Sequence, residues 1–263
     1  MRNFEYHRPG TLDEAVELLR GSPDAKLLGG GQSLLPLMKL DLAEPSRLVS
    51  VAGLPGLGDV ATDDGHLVVG AAVTHAEVAR SREVRDAVPA LAELARRIGD
   101  PQVRNRGTLG GSIAHADPAA DYPAALLALD AVVVTDRREI AADEFFQGLF
   151  RTALEPDEVV TRVRFAVPER AAWAKFQHPA SRFAVVGVMV AAGPSGVRVG
   201  VTGAGPSVFR AHALEDALGE GFSERALANV RVPADDLLSD DAASAEYRAH
   251  LVGVLARRAV ASA

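Results

Sequence analysis

The stretch Ala25-Lys26-Leu27-Leu28-Gly29-Gly30-Gly31-Gln32-Ser33-Leu34 decides how this chain is read. Ala25 to Leu28 reads as a short strand, and it runs directly into three glycines. Consecutive glycines let the backbone take positive φ and approach a ligand closely. Successive exposed N–H groups make an anion-binding nest, to which Gln32 and Ser33 add side-chain donors. The plain alternative is a tight strand-to-helix turn that binds nothing. A second cluster, Gly107-Thr108-Leu109-Gly110-Gly111-Ser112, repeats this chemistry. It leads through Ile113-Ala114-His115-Ala116 to Asp117 and Asp121, carboxylates able to accept from ribose or ring N–H groups. Two such loops suit a ligand with two phosphates and a polar ring better than either alone. Neither loop holds G-x-G-x-x-G or a Walker A lysine, which speaks against a Rossmann fold and a P-loop NTPase.

Outward from these loops the pattern is mixed α and β. Asn3 to Tyr6, Leu48 to Val51 and His66 to Val69 read as strands, and Leu34 to Leu42 as a short apolar segment. Thr11-Leu12-Asp13-Glu14 and Thr74-His75-Ala76-Glu77 are capping boxes, the second opening a helical stretch to Ile98. Gly107 to Asp121 reads as loop, Pro123 to Leu129 as helix, and Ala131 to Thr135 as strand. Asp143 to Phe150 is a short helix or turn. Glu158 to Val167 alternates, with Val159, Thr161, Val163 and Phe165 on one face of a half-buried strand. After Pro168, Trp173 to Gln177, Phe183 to Ala191 and Val197 to Val201 read as strands. Pro194-Ser195-Gly196 marks a hairpin in which Val197, Val199 and Val201 oppose Arg198, Gly200 and Thr202. In the last helix, about 243–259, Tyr247, Leu251, Val254 and Leu255 form one stripe, with Arg248, Arg257 and Arg258 elsewhere. The change of character places a boundary near residue 170.

Composition narrows the function. The chain has 263 residues, a net charge of −7 and no cysteine. Without Cys there are no disulfides, thiolate zinc sites, Cys-ligated iron–sulfur clusters or cysteine nucleophile in this chain. The negative balance argues against nucleic acid as a partner. Met1 to Arg8 lacks the apolar core of a signal peptide. No apolar run reaches the roughly 18–20 residues of a bilayer span. We therefore expect a soluble, cytoplasmic protein. His115, Asp117 and Asp121 invite a metal reading, but the loop supplies too few further ligands. The carboxylates serve equally to cap a helix start and orient amides. No G-x-S-x-G elbow surrounds Ser33 or Ser112, so hydrolase chemistry is set aside. No catalytic residue and no metal site is assigned.

The motifs Gly29-Gly30-Gly31-Gln32-Ser33-Leu34-Leu35-Pro36-Leu37-Met38-Lys39 and Thr108-Leu109-Gly110-Gly111-Ser112-Ile113-Ala114-His115-Ala116-Asp117-Pro118-Ala119-Ala120-Asp121 closely resemble those of the FAD-binding medium subunit of the molybdenum hydroxylases, the family of xanthine dehydrogenase and carbon monoxide dehydrogenase. Phe4-Glu5-Tyr6-His7-Arg8-Pro9 and Ala245-Glu246-Tyr247-Arg248-Ala249-His250-Leu251 resemble the family's opening strand and terminal helix. The resemblance implies an α+β fold. Its FAD-binding domain would be of the vanillyl-alcohol-oxidase type, residues 1–170, in two subdomains of about 1–55 and 56–170. A C-terminal flavoprotein domain of a small three-stranded sheet plus helices, 171–263, would follow.

By similarity, non-covalent FAD is held by Leu28, Gly29, Gly30, Gly31, Gln32, Ser33 and Leu34 and by Thr108, Gly110, Gly111 and Ser112, through backbone amides and hydroxyls. Asp121 would accept from the adenosine half, Ile98 would pack against the isoalloxazine, and Lys175 would stand near the flavin. Gly30 and Gly111 are expected where backbone approaches the pyrophosphate, with positive φ. The chain departs from the family in having Gly29 where many relatives have Ala, and in the segment Lys175 to Phe183, where the usual basic run followed by Gly-Asp is poorly kept.

The resemblance further implies a complex with a large molybdopterin subunit and a small subunit carrying two [2Fe–2S] clusters. Electrons would pass through FAD to NAD, oxygen or a quinone. A stand-alone FAD-dependent oxidase of the same fold, or a module that has lost FAD, are the alternatives. The first lacks an extra substrate cap, and the second is at odds with the intact glycine loops.

Overall fold

Three short strands begin the computed structural model, which describes residues 2–263. β1 (Glu5–His7) and β2 (Lys26–Leu28) flank β3 (Arg47–Ser50) and run parallel to it. Between β1 and β2 lies α1 (Leu12–Arg20), which buries Ala15, Val16 and Leu19 in a small core with Val49, Leu54 and Leu57. Thr11 caps α1 by accepting from Glu14 N at 3.2 Å. Glu14 takes the N–H of Gly10 rather than that of Thr11, so only half of the expected capping box forms. The apolar segment after the glycines is α2 (Leu34–Lys39), and Leu40 and Leu42 beyond it are exposed.

The middle of the chain builds a five-stranded antiparallel sheet and a layer of helices. β4 (Val60–Asp63), which had no clear signature in the sequence, pairs with β5 (His66–Gly70). The helical stretch is three helices: α3 (His75–Arg80), α4 (Arg82–Ala87) and α5 (Pro89–Arg96). Ser81 ends one and caps the next, and Pro89 opens the third, where its missing N–H does no harm. Next come α6 (Pro101–Arg104), α7 (Leu109–His115) and α8 (Tyr122–Ala128). α7 corrects the loop reading. Gly110 and Gly111 disfavour a helix intrinsically, but Leu109 and Ile113 are fully buried and Thr108 caps the first turn. β6 (Val132–Thr135), β7 (Glu139–Ala141), α9 (Ala142–Phe145), a small hairpin of β8 (Phe146–Gly148) and β9 (Arg151–Thr152), and β10 (Val160–Ala166) complete the region. The sheet order is β4-β5-β10-β6-β7. As its alternation requires, β10 buries Val163 and Phe165 and exposes Arg162.

β11 (Arg170–Gln177), β12 (Ala184–Gly193) and β13 (Gly196–Thr202) form the expected antiparallel set, and β14 (Phe209–Arg210) adds a fourth, two-residue strand to the expected three. α10 (His212–Glu220) and α11 (Ala245–Ser262) cover one face, and α8 covers the other. Arg198, read as a polar-face residue, is therefore buried; it donates to Leu127 O at 2.7 Å and pairs with Asp143 at 2.7 Å. α11 is rotated relative to the stripe expected of it. Arg248 faces inward at 3% exposure, and Tyr247 is 45% exposed. The Arg248 guanidinium is accommodated because it donates to the carbonyls of Val185 and Gly203 and to Asp240. Among the described residues no helix is long and apolar enough to cross a membrane.

Candidate cofactor site

β2 ends on Gly29-Gly30-Gly31, and these glycines meet the turn into α7 at the wall of a cleft of about 630 Å³. Leu28, Gly29, Gly30, Gly31, Gln32, Ser33 and Leu34 all line it, as do Ile98, Thr108, Gly110, Gly111, Ser112 and Asp121. The structure thus brings together every residue expected at the site except Lys175.

The two loops differ in what they offer. The amides from Gly30 to Leu34 have no backbone acceptor among the described residues, and the Ser33 hydroxyl makes no capping bond. This loop is a nest of uncommitted N–H donors. Only Gly31 carries positive φ, at 73°. Gly30 is constrained in another way: a Cβ there would overlap the carbonyl of Arg106 and crowd the Cα of Gly107. The first loop therefore lies directly on the backbone of the second, a close approach only glycine permits. In the second loop four amides are already taken. Leu109 N donates to Val73 O, Gly110 N to Ala71 O, Gly111 N to Thr108 Oγ1 and Ser112 N to Thr108 O. Beyond these it offers a ligand hydroxyls and a smooth glycine surface.

Asp121 and Lys175 form a buried ion pair, Nζ to Oδ2 at 2.8 Å, with side chains 5% and 0% exposed. Lys175 reaches the cleft only through Asp121; its Nζ also donates to Arg97 O at 3.4 Å. Burial pushes the Asp121 carboxyl up to about 6, while Lys175 and then Arg97 pull it back. Its Oδ1 has no partner within the chain. One acceptor oxygen is thus left free on a residue that lines the cleft. Asp117 orients an amide, its Oδ1 accepting from Ala119 N at 2.8 Å, but no helix starts at Pro118, and Asp121, at the N-cap of α8, makes no capping bond. No group of His, Asp or Glu able to hold a metal is found among the described residues.

Ile98 both packs against the main core and lines the cleft. Arg104 fixes this corner by donating to the carbonyls of Ile98 and Gly99 at 2.9 and 3.0 Å. Sequence reasoning missed other parts of the wall. Ser181, Arg182 and Phe183 contribute from the connection between β11 and β12, and Glu155 and Pro156 from the segment before β10. His75 lies there too, although its sequence context marks only a helix start.

These donors and acceptors fit FAD. The amides of the first loop and the hydroxyls of Ser33, Thr108 and Ser112 would hold the pyrophosphate, and Oδ1 of Asp121 would accept from a ribose or ring N–H. The cleft volume falls in the usual range of pre-formed ligand sites, about 300–1,000 Å³.

Comparison with known proteins gives the family. Residues 2–168 match the family model described as the FAD binding domain in molybdopterin dehydrogenase. The carbon monoxide dehydrogenase medium chain of Hydrogenophaga pseudoflava is 37% identical over 281 residues, covering 99% of this chain and 96% of that protein. The nicotine 6-hydroxylase medium subunit of Paenarthrobacter nicotinovorans is 38% identical over 274 residues, covering 99% and 97%. Among solved structures, carbon monoxide dehydrogenase from Hydrogenophaga pseudoflava superimposes with a TM-score of 0.90 at 36% identity, covering 100% of this chain and 97% of that one. Quinoline 2-oxidoreductase from Pseudomonas putida 86 gives a TM-score of 0.90 at 29% identity, with coverages of 100% and 97%. With the cleft, its two glycine loops and the whole-length likeness in agreement, this chain belongs to the family of FAD-binding subunits of molybdopterin dehydrogenases.

Proposed function

We propose that this chain is the electron-transfer flavoprotein of a cytoplasmic molybdenum hydroxylase complex. It would receive electrons from the iron–sulfur clusters of a small partner subunit and deliver them to an external acceptor, NAD, oxygen or a quinone. The organic substrate would be oxidised on a large molybdopterin subunit. The observation that carries this reading is the cleft itself, in which a donor nest and a carboxylate oxygen without a partner are arranged for a dinucleotide. FAD, when bound, supplies the redox chemistry; the protein supplies binding, orientation and electrostatics. The absence of Cys agrees with clusters carried on another chain. We divide the chain into an FAD-binding domain at 1–170, in two subdomains of about 1–55 and 56–170, and a C-terminal domain at 171–263. The family match over 2–168 and the new sheet from Arg170 support that division.

Purification at native abundance tests the reading. Two further polypeptides are expected, one of them Cys-rich and bearing iron–sulfur clusters. Acid or heat denaturation should release FAD into the supernatant, since neither glycine loop offers Cys or Tyr for covalent attachment. Flavin that stays with the precipitate, or a chain that purifies alone and fully active, would contradict it.

A further inference from the structure

We propose that His75 is a cofactor-contacting residue whose Nε2–H donates to the pyrophosphate from the side of the second glycine loop; the inference rests on the FAD reading above. The second loop has few amides to offer, because Leu109, Gly110, Gly111 and Ser112 already donate within the chain. Beneath it lies His75, 5% exposed and yet part of the cleft wall. Its Nδ1 has no partner, and no hydrogen bond engages Nε2 within the chain. Nε2 lies against Gly107, where an added Cβ would stand only 2.5 Å from it. Only glycine at 107 leaves room for the ring in this position.

The ring is held in place. Thr74 and Glu77 close the capping box around it, Thr74 N donating to Glu77 Oε2 at 2.8 Å. His75 N donates to Gly107 O at 2.9 Å, which ties the backbone of α3 to the second loop. Tyr122 packs on the ring with centroids 5.3 Å apart. Burial, with a smaller contribution from Arg104, lowers the imidazole to about 4. At neutral pH His75 therefore presents a neutral N–H, not a cation. A proton on Nε2 leaves Nδ1 facing the interior as a bare lone pair. A buried polar ring without partners is unfavourable in the ligand-free chain. Packing alone would be served as well by leucine.

The experiment compares wild type, His75→Leu and His75→Gln as full chains, with their subunits where these co-purify. FAD affinity is read from flavin fluorescence, and the melting temperature is taken without FAD. Loss of a hydrogen bond to a charged group predicts about tenfold or greater weakening in His75→Leu. Its FAD-free melting temperature should be unchanged or higher. His75→Gln, whose amide reaches the Nε2 position, should retain most of the affinity. Nitrogen NMR of wild type should show the Nε2–H tautomer and a shift of that nitrogen when FAD is added. Wild-type affinity in His75→Leu, or an Nε2 signal unmoved by FAD, would overturn the proposal. So would parallel loss of FAD-free stability and affinity in both variants, which would make His75 structural. Failure of wild type to take up FAD would instead overturn the FAD reading, and His75 with it.

Discussion

Replacing Gly30 by Val should strip the protein of most of its FAD and lower its stability. A side chain at this position runs into the backbone of Arg106 and Gly107, which cannot rotate away as a flexible side chain could. The two loops must separate, and overpacking of this kind costs about 1–3 kcal/mol. If the separation falls wholly on the cleft, that energy corresponds to up to about a hundredfold in FAD affinity. Gly111→Val is expected to do less. Gly111 lies within α7, and its added Cβ meets only the Thr108 hydroxyl, at 2.9 Å. The flavin-to-protein ratio of the two purified variants measures the difference. Full flavin in Gly30→Val alongside loss in Gly111→Val would refute the account of how the loops meet.

The second large effect is expected at Lys175→Met. Removing the ammonium leaves the Asp121 carboxylate buried without its partner, and breaking a buried pair in this way costs about 3–5 kcal/mol. Asp121→Asn in the same background should restore much of the loss, because the remaining amide carries no charge. The pH dependence has a definite sign. The folded-state value of Asp121 is raised from 3.8 to about 6, so its contribution to stability is full below about 4 and is lost as pH rises through about 6. In Lys175→Met the carboxyl loses the group that pulls it down, and this window should move to higher pH. Denaturant titrations of the single and double variants, repeated across pH 4–8, supply the cycle. Equal stability of Lys175→Met and wild type at neutral pH would show that the pair is not charged in the native state.

Much of the fold was legible because hydrophobic period is a local property. β10, α1 and the β12–β13 hairpin follow directly from their alternation, their capping residue and their turn. What escaped depends on contacts distant in sequence. α7 contains two glycines and forms because Leu109 and Ile113 meet the core. Arg248 looks like a surface residue on any helical wheel, yet turns inward because the carbonyls of Val185 and Gly203 await it. β4 is mostly exposed and has little apolar pattern to reveal it.

The candidate site divides in the same way. Glycine runs advertise close backbone approach, and they mark both loops. Which amides remain free is decided by partners such as Val73 O and Ala71 O, which no motif encodes. Likeness to the family puts Lys175 near the flavin; in the structure it stands behind Asp121, enclosed. His75 carried the signature of a helix start and nothing more, because its position on the cleft wall arises from the contact between α3 and the second loop.

The most direct test of the central claim is flavin reduction, followed by its absorbance, with and without the partner subunits. The isolated chain loaded with FAD should show no bleaching by candidate aldehydes, purines or other heterocycles. It should bleach promptly once the molybdenum and iron–sulfur subunits are added. Bleaching of the isolated chain by such a substrate, at a rate comparable to that of the full complex, would contradict the electron-transfer account and make this protein an oxidase in its own right.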